Sequence, residues 1–127
     1  MARPASNRPT DGELVILKVL WQINGGTIRE VQNALAGIRP IGYTTVQKNL
    51  HIMLAKGLVD RTEMHGVSVY RAKQSEQQTQ RKMAKDLLVR VFGGSTKKLV
   101  MNALAGKRTT AQEMAQLEAM LDRIDQE

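Results

Sequence analysis

Between Thr10 and Lys73 the chain divides into three short amphipathic segments and then two β-rich runs around a glycine turn, an order open to few folds. Thr10 and Glu13 stand at the spacing of a capping box, in which each side chain meets an orphan backbone N–H of a helix start. Leu14, Leu17, Leu20 and Trp21 recur on one helical face, and Asn24-Gly25-Gly26 stops the helix, because glycine tolerates a left-handed cap. Thr27 and Glu30 open a second, shorter helix with Ile28, Val31, Ala34 and Leu35 facing inward. A loop from Gly37 to Gly42, containing Pro40, leads to a third helix that starts around Tyr43–Thr45, runs to about Lys56 and stops at Gly57. Val46, Leu50, Met53 and Leu54 form its inward face. The runs Leu58–Glu63 and Val67–Arg71 flank His65-Gly66 and read as a β-hairpin. The fold class expected is mainly α with a small β-hairpin wing: a winged helix-turn-helix followed by a helical region.

From Ser75 the pattern changes to three further helical segments. The first spans about 75 to 92, with Met83, Leu87, Leu88 and Val91 inward, and Phe92-Gly93-Gly94-Ser95 breaks it. The second spans about 96 to 105 and carries Leu99, Val100, Ala103 and Leu104. The third opens on the box Thr110 to Glu113 and carries Met114, Leu117, Leu121 and Ile124. Some fifty residues of amphipathic helix without a core of their own are best buried against a second copy. Leu87, Leu88, Val91, Phe92, Leu99, Val100, Leu104, Leu117, Leu121 and Ile124 are the expected dimerisation residues. Three regions follow: a flexible basic arm over residues 1–9 with two Pro, a winged helix-turn-helix over 10–73, and a helical dimerisation region over 74–127.

A chain of 127 residues with 42% apolar and 24% charged residues is globular, and its length allows one domain of ordinary size or one small domain with an appendage too small to bury its own core as a monomer. Four aromatic residues, Trp21, Tyr43, Tyr70 and Phe92, leave the core to Leu, Ile, Val, Ala and seven Met. Without Cys there is no disulfide, thiolate nucleophile or Cys-ligated metal. No apolar run approaches the ~18 residues of a membrane helix, and the N-terminus lacks a signal peptide's apolar stretch. A cytoplasmic protein without membrane insertion is expected. The net charge of +7 points to a polyanionic partner, nucleic acid first. The excess sits mainly in residues 1–73, with ten Lys/Arg against five Asp/Glu, while residues 74–127 hold nine against seven.

The third helix carries the most specific chemistry. Its outward face reads Thr44, Thr45, Gln47, Lys48 and His51. Short hydroxyls reach phosphates or thymine methyls, Gln suits adenine edges, and Lys suits phosphate or guanine. A helix-turn-helix sets the N-terminal part of its second helix in the major groove, where these residue types would meet base edges. Arg61 and Arg71 on the wing strands, Lys73 beyond them, and Arg3 and Arg8 on the arm could neutralise phosphates without reading sequence. His51 and His65 have no carboxylate or second His at ligand spacing, so no metal site is expected. No catalytic triad, phosphate loop or HExxH motif is present, and Gly93-Gly94 follows a helix instead of a strand. Neither a cofactor nor enzymatic activity is expected.

Thr10-Asp11-Gly12-Glu13-Leu14-Val15-Ile16-Leu17-Lys18-Val19-Leu20-Trp21 and Thr27-Ile28-Arg29-Glu30-Val31 resemble the opening of the penicillinase-repressor family. Tyr43-Thr44-Thr45-Val46, Leu50, Leu54 and Lys56-Gly57-Leu58-Val59 look like that family's recognition helix, and Phe92-Gly93-Gly94-Ser95 with Leu99-Val100 like its C-terminal hinge. The resemblance covers nearly the whole chain from Thr10. It implies a homodimeric repressor that binds double-stranded DNA at a palindromic operator and controls an antibiotic-resistance or stress gene. In the β-lactam branch, it also implies relief of repression through a membrane sensor-protease system. By the resemblance, Thr44, Thr45, Gln47 and Lys48 are the positions that touch DNA.

Three departures qualify what the resemblance implies. The copper-handling branch carries C-terminal Cys pairs, and this chain has none. Asn102-Ala103 stands where the β-lactam branch has an Asn-Phe cleavage pair. Asn49 and Ile52 stand where the family usually has an apolar residue and an Arg. Ile52 would forfeit a phosphate contact, and Asn49 would put an amide beside the core, where it needs a partner. Two functional readings stay open: a sequence-specific homodimeric repressor, and a winged-helix protein-interaction module without specific DNA binding.

Overall fold

A computed structural model describes residues 8–126. The expected arm, residues 1–9, lies outside the described residues as far as residue 7, and Arg3 with it. The described elements run α1 (Asp11–Ile23), α2 (Ile28–Leu35), α3 (Tyr43–Lys56), β1 (Val59–Met64), β2 (Val67–Ala72), α4 (Glu76–Phe92), α5 (Thr96–Ala103) and α6 (Ala111–Asp125). Mostly helical with one antiparallel hairpin, the chain is a winged helix followed by further helices. It divides into two compact units, one ending at Thr79 and one beginning at Gln80, so the division falls inside α4.

Local chemistry accounts for the helix ends. Thr10 Oγ1 accepts from Glu13 N–H at 3.2 Å while Glu13 Oε1 accepts from Thr10 N–H at 2.9 Å. Thr27 with Glu30 and Thr110 with Glu113 repeat the same reciprocal cap at α2 and α6. Asn24 takes the left-handed conformation after α1, and Gly57 does so after α3. The hairpin pairs Met64 with Val67 across His65 and Gly66, whose φ values of 54° and 79° are those a two-residue type I′ turn requires.

The core of the first unit joins α1 (Ile16, Leu17, Val19, Leu20), α2 (Ile28, Val31, Leu35), α3 (Val46, Leu50, Met53) and the hairpin (Val59, Tyr70). Two differences from the expected pattern have physical causes. Leu14 is only half-buried, whereas Ile16 and Val19 are fully buried, because α1 packs against β2 as well as α2 and so buries more than one stripe. Strand β1 begins at Val59 and not at Leu58, because Leu58 N–H still closes α3 onto the Met53 carbonyl at 2.9 Å.

The wing is fastened to the helices by backbone. Gly26 N–H donates to Tyr70 O at 2.9 Å, and Tyr70 N–H donates to Gly26 O at 2.8 Å. The adjoining Gly25 has φ +86°, and a Cβ on it would lie 2.5 Å from Arg71 Cγ and 2.9 Å from Tyr70 O. Only glycine meets both conditions. Trp21 Nε1–H donates to Gln74 O at 3.0 Å, tying the segment after β2 back to α1.

In the second unit α5 packs against α6, and Leu121 is the one buried apolar side chain among the described residues from 80 on. Asp125 near the end of α6 serves the start of α5: Ser95 Oγ–H donates to it at 2.7 Å and Thr96 N–H at 2.8 Å. These bonds, with that of Ser95 foremost, hold its carboxyl below the usual range.

Glu13 does more than cap α1. It is buried, and its Oε1 also accepts from Lys56 Nζ at 2.6 Å, pinning the C-terminal end of α3 to the start of α1. Burial alone would raise the Glu13 pKa, but the hydrogen bond and charge of Lys56, with the bonds from Thr10, outweigh it and hold the carboxyl below its usual value. A folded value below the unfolded one means that the stabilisation is present above the usual carboxylate range and is lost as pH falls through the lowered value. Glu13→Gln is therefore expected to lower stability at neutral pH by about 1–3 kcal/mol, because Lys56 is left without its charge partner. Urea denaturation over a pH series should show the gap between variant and parent closing in acid. A gap that persists at low pH would contradict this role.

Candidate nucleic-acid interface

Burial of Val46, Leu50 and Met53 fixes the rotation of α3 about its own axis and turns the opposite face to solvent. Thr44, Thr45, Lys48 and His51 are exposed on that face, and Gln47 is half-buried beside them. Thr44, Gln47, Lys48 and His51 follow helical spacing and form one row. Ile52 adjoins it and is 44% exposed, an apolar side chain with no core to pack on.

The wing does not bring its two arginines together. Arg61 pairs in register with Tyr70, and Arg71 with Asp60. Directly opposed residues of an antiparallel pair share a face, so Arg61 and Arg71 lie on opposite faces of the hairpin, although both are exposed. The stem of Arg71 runs over Gly25, which has no side chain to displace it. Arg8, ahead of α1, is exposed. His65 occupies the wing tip, where Met64 and Val67 are about half exposed. Among the described residues no group of three or more His, Cys, Asp or Glu is placed to hold a metal ion.

Asn49 departs from expectation. It is half-buried, its side chain makes no hydrogen bond among the described residues, and neither amide atom is sealed from solvent. The amide flanks the apolar stripe between Val46 and Met53 without entering it, because the helix turns it toward the edge of the core. The need for a buried partner therefore does not arise.

A further group, which the spacing of the sequence does not couple, holds the front of α3. The Arg29 guanidinium lies over the Tyr43 ring, 4.9 Å from its centroid. Arg29 Nη1–H donates to Gln32 Oε1 at 3.1 Å, and Gln32 Nε2–H donates to Ile41 O at 3.3 Å. These links join α2, the connecting turn and the first residue of α3. Thirteen residues, including the loop before α3, separate Arg29 from Tyr43, so no periodicity points to the contact.

The residues expected to form a dimer contact sit at graded exposure. Leu87, Val91 and Ile124 are exposed, at 40%, 56% and 43%. Leu88, Phe92, Leu99, Val100, Leu104 and Leu117 are half-buried, and Leu121 is buried within its own unit. Val89 and Met120, which the sequence pattern did not single out, are exposed at 63% and 49%. Asn102 and Ala103, the last two residues of α5, are both exposed.

Since the Asn49 amide is already open to solvent, Asn49→Leu has no desolvation penalty to relieve. Its thermal unfolding is expected to stay within about 0.5 kcal/mol of the parent, the usual range for a substitution off the core. A gain above ~1 kcal/mol would show that the amide is buried and unpaired after all.

Compared with known families, residues 9–123 match a model described as penicillinase repressor. No curated protein matches the chain.

Proposed function

The chain belongs to the penicillinase repressor family, and we propose that it acts as a homodimer that blocks transcription by occupying a palindromic operator. The family suggests a DNA-binding transcriptional repressor, and its members are regulators and not enzymes. The observation that carries the reading is the row Thr44, Gln47, Lys48 and His51, directed away from the core on the second helix of a helix-turn-helix. In this reading α3 enters the major groove, Thr44, Thr45, Gln47, Lys48 and His51 face base edges and flanking phosphates, and Arg8, Arg61 and Arg71 hold the backbone. Because Arg61 and Arg71 lie on opposite faces of the hairpin, they would serve different phosphates.

The dimer is assigned to residues 74–127. Support comes from Leu121 being the one buried apolar side chain among the described residues of that region, and from the exposure of Leu87, Val91 and Ile124. Two copies would set two α3 helices against successive major-groove faces, which is why the operator would be palindromic. The regulated gene would be one of antibiotic resistance or stress response, and the site of action the cytoplasm. No described helix is long and apolar enough to cross a membrane. Release through a membrane sensor-protease at Asn102-Ala103 would require an enzyme that accepts Ala in the second position.

Ile52 favours one competing reading. An apolar side chain, 44% exposed on the outward face of α3, suits a protein partner better than a phosphate. Binding to duplex fragments over a salt series separates the two. A DNA repressor loses affinity with a slope of about −0.9 in log K against log salt for each phosphate it neutralises. Lys48→Ala and Thr45→Ala should weaken operator binding while shifting stability by no more than about 0.5 kcal/mol, since both residues are exposed. A flat salt profile in the parent would favour the protein-interaction module.

Oligomeric state provides a separate check. Val91→Glu places a charge on a residue that is 56% exposed in the single chain, so folding should be little affected. Sedimentation of the full-length variant should show a monomer with unchanged helical circular dichroism. A dimer that survives the substitution would remove Val91 from the interface.

A further inference from the structure

Arg29 is the second residue of α2, and Tyr43 is the first of α3. Both are exposed, yet Arg29 is not a freely waving surface cation. Its guanidinium is stacked 4.9 Å from the Tyr43 ring centroid, and Nη1–H donates to Gln32 Oε1 at 3.1 Å. Gln32 is held in turn by its donation to Ile41 O at 3.3 Å. Among the described residues no carboxylate pairs with Arg29, in contrast to Lys56, Arg90 and Lys97. A guanidinium has five N–H donors in one plane, and among the described residues only one of these is engaged.

Stacking occupies the face of the cation and leaves its edge donors free to turn outward. It also removes rotamer freedom before any ligand arrives, so less is lost on binding. A planar, pre-oriented cation with unfilled edge donors and no internal counter-ion matches a phosphate oxygen pair. Tyr43 immediately precedes Thr44 and lies one turn before Gln47, which puts the stack beside the row that faces away from the core.

We propose that Arg29, held by Tyr43, is a contact for a backbone phosphate of DNA, so that α2 grips the sugar–phosphate chain flanking the bases met by α3. Arg29 binds the phosphate, and Tyr43 is a positioning residue that acts through it. The contact carries no sequence information and sets the register of α3 in the groove. It rests on the DNA-binding reading given under Proposed function.

The test uses the full chain and duplex fragments of mixed sequence over a range of salt. Arg29→Gln is expected to make the slope of log K against log salt shallower by about 0.9, the loss of one phosphate contact. The proportional loss of affinity should be the same on every duplex, and the melting temperature should fall no further than it does in Tyr43→Leu, which removes the same stack. Tyr43→Phe keeps the ring and should behave as the parent. Tyr43→Leu should lose about two- to five-fold in affinity, the worth of an exposed cation–π contact, and lose nothing more when combined with Arg29→Gln. An unchanged slope in Arg29→Gln, or an affinity loss that tracks a fall in melting temperature beyond that of Tyr43→Leu, would overturn the phosphate contact. Additive losses in the double variant would overturn the positioning role of Tyr43. A parent that binds with no salt dependence defeats the DNA-binding reading itself, whereas a steep parental slope retained in Arg29→Gln defeats this contact alone.

Discussion

Two backbone hydrogen bonds, from Gly26 to Tyr70 and back, carry the architecture of the first unit. A two-stranded hairpin is marginal in water by itself. Here β2 is paired on one side with β1 and on the other with the turn between α1 and α2, while the Tyr70 ring, 1% exposed, enters the helical core. An aromatic ring buries about 150–250 Å² and so binds the wing to the helices by apolar contact as well as by backbone. Everything upstream must allow that approach. Helix α1 has to stop at Asn24, and the next residue has to lack a side chain, because Arg71 and the Tyr70 carbonyl already occupy the place of a Cβ at Gly25.

The same packing sets the pose of α3. Val46, Leu50 and Met53 are fully buried and forbid rotation of the helix, while its two ends are held by different chemistry. At the front, the Arg29–Tyr43 stack and the Gln32 bond to Ile41 fasten the turn. At the back, Lys56 reaches Glu13, an oxygen that already serves the cap of α1. A largely buried ion pair often contributes little net stability, since desolvation cancels much of the attraction, but losing one partner strands the other charge. The pair therefore acts mainly to specify where the end of α3 lies. A helix anchored along a stripe and at both ends presents its outward residues in a fixed order, which is what groove recognition demands.

The second unit is built on a different balance. Its caps are well made: Thr110 with Glu113 opens α6, and Asp125 accepts three hydrogen bonds at the start of α5, where a negative charge also complements the helix dipole. Lys97 adds a contact to Asp122 at 2.9 Å. Exposed pairs of this kind contribute between nothing and about 1 kcal/mol each. With Leu121 alone buried among its described apolar side chains, the unit draws little hydrophobic stabilisation from within, while Val89, Val91, Met120 and Ile124 remain in contact with water. Capping decides where these helices begin, but it supplies little of the energy that would hold them together.

By itself the sequence determined the helix ends, the hairpin turn and the inward stripe of α3. Each rests on interactions within a few residues, such as Thr10 with Glu13, His65-Gly66, and Val46 with Leu50, and local interactions leave a local pattern. The outward row of α3 was legible for the same reason, since knowing one face of a helix gives the other. Only the tertiary structure decided what depends on contacts between distant segments. It put Lys56 on Glu13 and Arg29 on Tyr43, and it buried Ile16 and Val19 because α1 is covered from two sides. It also set Arg61 and Arg71 on opposite faces, since that follows from strand register and not from the presence of Arg on both strands. Asn49 shows the limit most plainly. Helical spacing placed it beside the core, but whether its amide met solvent depended on how closely the neighbouring elements close over that edge, which no periodicity in the chain encodes.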